Sequence, residues 1–338
     1  VGIGVSKVYE GFDWYKQHLG MDMMIFDEAA EAALMLPYTE GKPRSRHAVL
    51  ALNYAGGGGL EIWQYTSREP QPSAFEIQYG DLGIFSIKFK AGSVAASSQR
   101  LKDHLVADMA INPGGKPHAW GRDPFGNYWE LEEARDWYKE GFHHTGGVQG
   151  VTIGVSDIDH SVKFYREVLG YDVVTYDESG HHADLAGLPG GSEAYRRVKL
   201  QHAAAYKGPF APLLGSTEIE LVQALDRTPR KIFGDRMWGD LGYIHLCYDV
   251  RGMDGLKAAC EEQGHPFTVD SADSFDMGEA AGRFAYCEDP DGTLIEFVEA
   301  HKISLLKKFG WYLDLTKRRD DQPLPWYIFK AMSFSRKK

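Results

Sequence analysis

An α+β fold built from four βαβββ modules is what the sequence predicts, and three observations predict it. The chain is internally duplicated, each half switches its apolar period in a fixed order, and Asp-Pro-x-Gly turns join the closing strands of both halves. The duplication is read directly, and it precedes any assignment of elements. "VGIGVSKVYEGFDWYKQHLGMDMMIFDE" at 1–28 matches "VTIGVSDIDHSVKFYREVLGYDVVTYDE" at 151–178, placing Tyr15 on Tyr165. "GGLEIWQ" ending at Gln64 matches "STEIELVQ" ending at Gln223, which places Glu61 on Glu220. "GDLGIFSIKFKA" at 80–91 matches "GDLGYIHLCYDV" at 239–250, so Ser86 stands on His245. "RDPFGNYWELEE" at 122–133 matches "EDPDGTLIEFVE" at 288–299, which places Glu130 on Glu296.

Each half divides again. The alternating "VTIGVSD" reads as a strand, and "HSVKFYREVLG" as a helix whose Val162, Tyr165 and Leu169 recur at helical spacing. Further strands run to "IELVQ". "IHLCYDV", then "MDGLKAACEEQG", then strands closing in "GTLIEFVE" repeat that order. Asp and Pro open the DPxG turns and Gly closes them, as short hairpin connections require.

Composition bounds the class. A chain of 338 residues, 43% hydrophobic and 13% aromatic, is long enough for about two globular domains. Its apolar runs are too short to span a membrane, and no charged-then-apolar leader is present, although a first residue of Val1 suggests that the native start lies upstream. Three cysteines, Cys247, Cys260 and Cys287, with no C-x-x-C spacing, argue for a reducing compartment, the cytoplasm, and against a disulfide framework. A net charge of -11 disfavours nucleic acid as a partner. Residues 301–338 hold ten Lys or Arg against three acids, a net of +7 that leaves -18 on the rest. This basic, aromatic tail is expected to dock on its own acidic body, with a membrane surface as the alternative.

The order of elements, "VSDIDHSVKFYREVLGYDVV" and "DPDGTLIEFVE" together resemble the vicinal oxygen chelate superfamily, which includes glyoxalase I, epimerases, extradiol dioxygenases and bleomycin and fosfomycin resistance proteins. The resemblance covers roughly residues 1–300. It implies modules paired into two glyoxalase-like domains with curved mixed sheets. We expect residues 1–135 to hold modules 1 and 2, 136–147 to link, 148–300 to hold modules 3 and 4, and 301–338 to form the tail. It further implies a divalent metal on the inner faces, with ligands from the first and last strands of each module of a pair.

In the second half the resemblance assigns Glu220, His245 and Glu296 as metal ligands, with Glu296 or Glu220 doubling as the catalytic base; the fourth position falls on Gly150, which offers no ligand. Alternation supports the inward direction of these side chains. In "IHLCYDV" His245, Cys247 and Asp249 share one face, in "GTLIEFVE" Ile295 and Phe297 leave Glu296 on the other, and in "TEIELVQ" Ile219 and Leu221 leave Glu220. Carboxylates inside apolar strands need a cation or strong donors. One imidazole and two carboxylates do not choose among Zn, Mn, Fe, Ni and Co. The first half offers Glu61, Ser86 and Glu130, with its first-strand position before Val1, and reads as a degenerate site. His143, His144, His181 and His182 fall in loops and are expected to be solvated, with His181, His182 and His202 as weaker acid or base candidates. Asp289 and Asp291 are turn formers. "GGGG" at 56–59 lacks the following GK[ST] of a phosphate loop and reads as a flexible hairpin.

The resemblance then implies an isomerase, epimerase or lyase that stabilises an enediolate of a small oxygen-rich substrate, with no organic cofactor. The alternatives are a dioxygenase-type oxidoreductase, which Gly150 counts against, and a metal-free protein that sequesters an antibiotic. A small-molecule substrate, no nucleic acid, no integral membrane segment and a possible homodimer complete the expectation.

Overall fold

Both V-x-I-G-V-S stretches open a module, and the glutamine that ends each half's "EIWQ" or "ELVQ" strand ties the following helix down. Gln64 Oε1 accepts from Val8 N at 2.9 Å, and Gln223 Oε1 accepts from Ile158 N at 3.1 Å. Each satisfies one of the backbone donors that a helix start leaves free. The structure is a computed structural model that describes residues 1–272, 275–276, 281–306 and 311–337.

Module 1 comprises β1 (Gly2–Gly4), α1 (Val8–Leu19), β2 (Met23–Glu31), β3 (Ser45–Leu52) and β4 (Leu60–Tyr65). Module 2 comprises β5 (Gly83–Ala91), α2 (Val94–Arg100), β6 (Ala110–Ile111), β7 (Pro117–Arg122) and β8 (Tyr128–Glu133). Module 3 runs through β9 (Thr145–Gly154), α3 (Ile158–Glu167), β10 (Val173–His181), β11 (Ala194–Gln201), α4 (Ala211–Leu214) and β12 (Glu218–Ala224). Module 4 holds β13 (Gly242–Asp249), α5 (Met253–Glu262), β14 (Val269–Asp270), β15 (Phe275–Asp276), β16 (Ala281–Glu288) and β17 (Leu294–Leu306), and the tail adds β18 (Trp311–Asp314) and α6 (Trp326–Met332).

Two curled mixed sheets result. The first runs β14-β16-β17-β13-β1-β4-β3-β2, with β15 on β16 and β18 on β17; the second runs β10-β11-β12-β9-β5-β8-β7-β6. The strand order corrects the expected pairing of modules. Module 1 shares its sheet with module 4, across the antiparallel β1–β13 seam, and module 2 shares its sheet with module 3, across β5–β9. The reason lies in the two connections, residues 66–82 and 225–241, which carry the chain from one sheet to the other.

The repeated G-D-L-G stitches these connections together. Asp81 Oδ2 accepts from Gln78 N of its own connection at 2.9 Å, while Oδ1 accepts from Arg230 N at 2.9 Å and Arg227 Nη1 at 2.7 Å of the other. Asp240 repeats this: Oδ2 accepts from Met237 N at 2.8 Å, and Oδ1 from Gln71 N at 2.8 Å and from Arg68. The glycine of each V-x-I-G-V-S makes room for that turn. A Cβ at Gly4 would stand 1.9 Å from the Asp240 carbonyl oxygen, and one at Gly154 would stand 2.0 Å from that of Asp81. No side chain fits such an approach.

Modules consecutive in sequence still touch, through helix and turn. Tyr15 of α1 donates to Asp123 Oδ2 at 2.7 Å and Tyr165 of α3 donates to Asp289 Oδ2 at 3.0 Å. The other carboxylate oxygen of each Asp takes turn amides, Phe125 and Asn127 in one case and Asp291 and Thr293 in the other, so both are turn formers as the DPxG pattern predicts. One apolar core takes α1, α3 and one face of both sheets, including Ile62, Ile219, Leu221, Leu246, Ile295 and Phe297. The opposite faces carry separate aromatic clusters. Trp63, Tyr65, Trp238, Ile244 and Tyr286 fill the first sheet, and Tyr79, Phe85, Trp120 and Tyr195 the second.

The tail docks on the body, by apolar contact more than by charge. Ile328 and Phe329 of α6 pack with Leu324, Leu315, Met23, Leu52 and Leu213, and Arg336 pairs with Asp22 at 2.5 Å. The "GGGG" stretch departs from a flexible hairpin: Gly56 and Gly57 are buried, and half-buried Gly58 exchanges hydrogen bonds with Val148 at 2.6 and 2.9 Å. Among the described residues no helix is long and apolar enough to cross a membrane.

Candidate metal centre

The side chains expected to act together are sorted anew by the sheet pairing. Gly2 lies opposite Glu61 on one side and His245 on the other, and Glu296 sits on β17 opposite Cys247 of the next strand. One row across four strands thus assembles Glu61, His245 and Glu296. His245 Nε2 is 3.1 Å from Glu296 Oε2 and 3.5 Å from Glu61 Oε2. One ligand atom from each of the three falls within 4.8 Å of the others.

His245 is fully buried, while the Glu61 and Glu296 side chains are 20% and 13% exposed. Tyr286 meets the imidazole edge-on, and Trp238 lies parallel to it at 6.5 Å. Neither ring nitrogen makes a hydrogen bond of acceptable geometry, although Nε2 stands beside two carboxylates. Burial opposes a charge on the imidazole, but Glu296 and Glu61 outweigh it and raise its pKa to about 9. Burial pushes the Glu296 carboxyl up, and the His245 charge pulls it below its ordinary value. Burial, then Glu296 and Glu61, hold the Tyr286 phenol protonated, and burial with Glu296 does the same for the Cys247 thiol. A buried imidazole whose Nε2 faces two carboxylates without a well-aligned hydrogen bond fits a divalent cation in chemistry and in spacing.

Glu220, expected beside His245 and Glu296, is not there. It lies on β12 of the second sheet, where Glu61's counterpart position now serves the other cluster. There Glu130, Glu132 and Glu220 also bring carboxylate oxygens within 4.8 Å of one another, all buried. Lys88 fills the space between them, with Nζ 2.7 Å from Glu220 Oε2, 3.0 Å from Glu132 Oε1, and bonded to Glu130 as well. Arg197 Nε donates to Glu220 Oε1 at 2.7 Å and Arg197 Nη1 to Asp184 at 2.7 Å. Lys199 bonds Glu132 and stands 2.6 Å from Glu218. Burial raises the Glu220 carboxyl, but Arg197 and Lys88 overcome it and hold it well below the carboxylate range. The excess negative charge is relieved at Glu218, which burial and then Glu132 raise to about 7. Charges of the chain itself therefore satisfy the second cluster; of the set read as a degenerate first-half site, Glu130 and Ser86 lie in this sheet while Glu61 joins His245.

Ser86 and Gly150 fall in this second sheet. The Ser86 hydroxyl is buried without a hydrogen-bond partner, and a Cβ at Gly150 would stand 2.3 Å from the Glu218 carbonyl oxygen. The Gly150 vacancy thus belongs to the lysine-filled cluster and not to His245. His118, which sequence reasoning passed over, is buried with Nδ1 2.5 Å from Glu130 Oε1. His143 and His144 are half-buried and ring-paired, not free in solvent. His181 and His182 contact the carbonyls of Ser192 and Tyr195, and His202 that of Leu169, so none faces the His245 centre.

Residues 141–297 match the Glyoxalase/Bleomycin resistance protein/Dioxygenase superfamily. The match falls on modules 3 and 4 of the chain. The fold of the chain is shared over most of its length by solved structures. Glyoxalase I from Zea mays superposes with a TM-score of 0.53 at 14% identity, covering 88% of this chain and 90% of that one. A putative dioxygenase from Bacillus subtilis superposes with a TM-score of 0.57, also at 14% identity, over 88% and 83%. No curated protein matches the chain by sequence. At such identity this chain and glyoxalase I share the fold, and the reaction has to be argued from the centre itself.

Proposed function

We propose that Glu61, His245 and Glu296 hold one divalent metal ion and that the protein is a metal-dependent isomerase, epimerase or lyase of the glyoxalase type, acting on a small oxygen-rich molecule. The observation that carries this reading is the buried His245, whose two nitrogens make no hydrogen bond while two partly open carboxylates stand 3.1 and 3.5 Å away. A divalent cation there supplies Lewis acidity toward two neighbouring oxygens of a substrate. Glu61 and Glu296 are the members that solvent reaches, so one of them takes the proton from the carbon beside a carbonyl and returns it. The protonated Tyr286 lies against Glu296 and orients it. Trp238 and Tyr286 confine the imidazole and keep bulk water from its ring. Glu220, committed to Lys88 and Arg197, takes no part.

Metal analysis tests the reading. Wild-type protein purified without chelator is expected to carry one transition metal per chain, and His245→Ala, Glu61→Gln and Glu296→Gln to lose it while remaining folded. Wild-type protein that takes up no divalent ion in titration, or a His245→Ala variant that binds as tightly, would overturn it.

A further inference from the structure

The helix α6 is apolar on two sides, and only one of them is covered. Ile328 and Phe329 are buried against the body. Trp326, Tyr327 and Phe334 face outward with 65%, 57% and 83% of their surface exposed. Trp326, Lys330 and Phe334 follow one another at four-residue spacing along α6 and the helical turn Ser333–Ser335 that continues it, which lines them up as one ridge. Lys330 Nζ stands 5.6 Å from the Trp326 ring. Between Gln322 and Lys337 the chain has no acid, and while Arg336 is paired with Asp22, Lys330 and Lys337 leave the ridge positive, whereas residues 1–300 carry -18.

We propose that this ridge holds the protein, reversibly and peripherally, on an anionic phospholipid surface. Rings exposed to this degree project instead of lining a groove, and a deformable headgroup layer accepts a projecting ridge better than a folded partner does. Trp, Tyr and Phe bury their apolar bodies at that depth while Lys and Arg reach the phosphates. The acidic remainder of the chain is repelled by the same surface, so the ridge is the end that approaches it. This use of the tail is separate from the metal centre and stands or falls without it.

Co-sedimentation of the full chain with lipid vesicles tests the proposal. Binding is expected to vesicles containing one third phosphatidylserine, at least about tenfold above that to pure phosphatidylcholine, and to weaken as salt is raised. Trp326→Ser with Phe334→Ser is expected to lose about tenfold or more on the anionic vesicles. Lys330→Glu with Lys337→Glu is expected to abolish the preference for them. Both double variants alter exposed positions, and an unchanged thermal unfolding curve verifies that they fold. Wild-type protein that ignores both vesicle types overturns the proposal, as does anionic binding that survives both double variants. Concentration-dependent self-association without vesicle binding also overturns it, and assigns the ridge to a second copy of the chain.

Discussion

Gly2 and His245 face each other across the β1–β13 seam, and the imidazole lies where any side chain on residue 2 would have to go. A Cβ built there would come 2.3 Å from the ring's Cε1 and 2.6 Å from Nε2. The glycine therefore fixes the ring between Glu61 and Glu296. Gly2→Ala is expected to displace the imidazole, weaken divalent metal binding by about tenfold or more, and cost about 1–3 kcal/mol of stability through overpacking. Calorimetric metal titration beside chemical unfolding separates the two effects. Unchanged metal affinity in a destabilised Gly2→Ala protein would remove the glycine from the design of the centre.

Proton and metal compete for His245. Its folded pKa stands at about 9, above the ordinary imidazole value of about 6.5, because Glu296 and Glu61 overcome the effect of burial. The sign follows. In metal-free protein the charged imidazole contributes stability fully below about pH 6.5, and that contribution is lost as the pH rises through about 9. Metal binding runs the other way, since the ligand must be neutral: affinity is expected to climb about tenfold per pH unit from pH 7 toward 9 and then level. Metal titrations across that range check it, and a flat profile would show that the imidazole is not a ligand.

Lys88 does in the second sheet what a metal would do in the first. Replacing it by Met leaves Glu130, Glu132 and Glu220 facing one another in a buried space, with Lys199 and Arg197 on the flanks. A loss of about 3–5 kcal/mol is expected, as for the removal of one partner from a buried ion pair. Lys88→Ala should suffer similarly but leave room for an ion among the carboxylates. Its melting temperature is expected to rise on adding Mn or Ca at concentrations that leave the wild type unmoved. Equal responses in both proteins would mean that the lysine is not acting as the resident cation.

The sequence made the modules, their order, the inward direction of His245, Glu296 and Glu220 and the equivalence of Glu61 to Glu220 legible, because repeats and period-two alternation report local structure. Which of these side chains meet was not legible. "VGIGVS" and "VTIGVS" are nearly the same edge, so either first strand suits either partner. The choice is made by the crossings at residues 66–82 and 225–241, whose Asp-to-Arg clasps join segments far apart in the chain. Glu61 and Glu220 hold equivalent positions and therefore exchanged places. Lys88 was within reach of inference, since Lys88 and Lys90 follow Ser86 at two-residue spacing in "IFSIKFKA" and must share its face. His118 has no comparable signal, for its counterpart strand carries no histidine to compare.

The matched clasps allow the two halves to be separated by experiment. Buried Asp240 follows by two residues Trp238, whose ring lies parallel to His245, and buried Asp81 follows by two residues Tyr79, whose hydroxyl donates to Glu220 at 3.3 Å. Asp240→Ala and Asp81→Ala each remove hydrogen bonds to two backbone amides and an arginine, so both are expected to lose about 2–3 kcal/mol. Their effects on the centre should differ. Asp240→Ala loosens the connection that positions Trp238 and is expected to weaken metal binding several-fold, while Asp81→Ala disturbs the lysine-filled sheet and should leave metal affinity within about twofold of wild type, since well-separated sites act additively. Equilibrium unfolding and metal titration of the pair decide the matter. Equal metal losses in both would mean that the two sheets are coupled through the crossings, and equal retention would mean that Trp238 has no hold on His245.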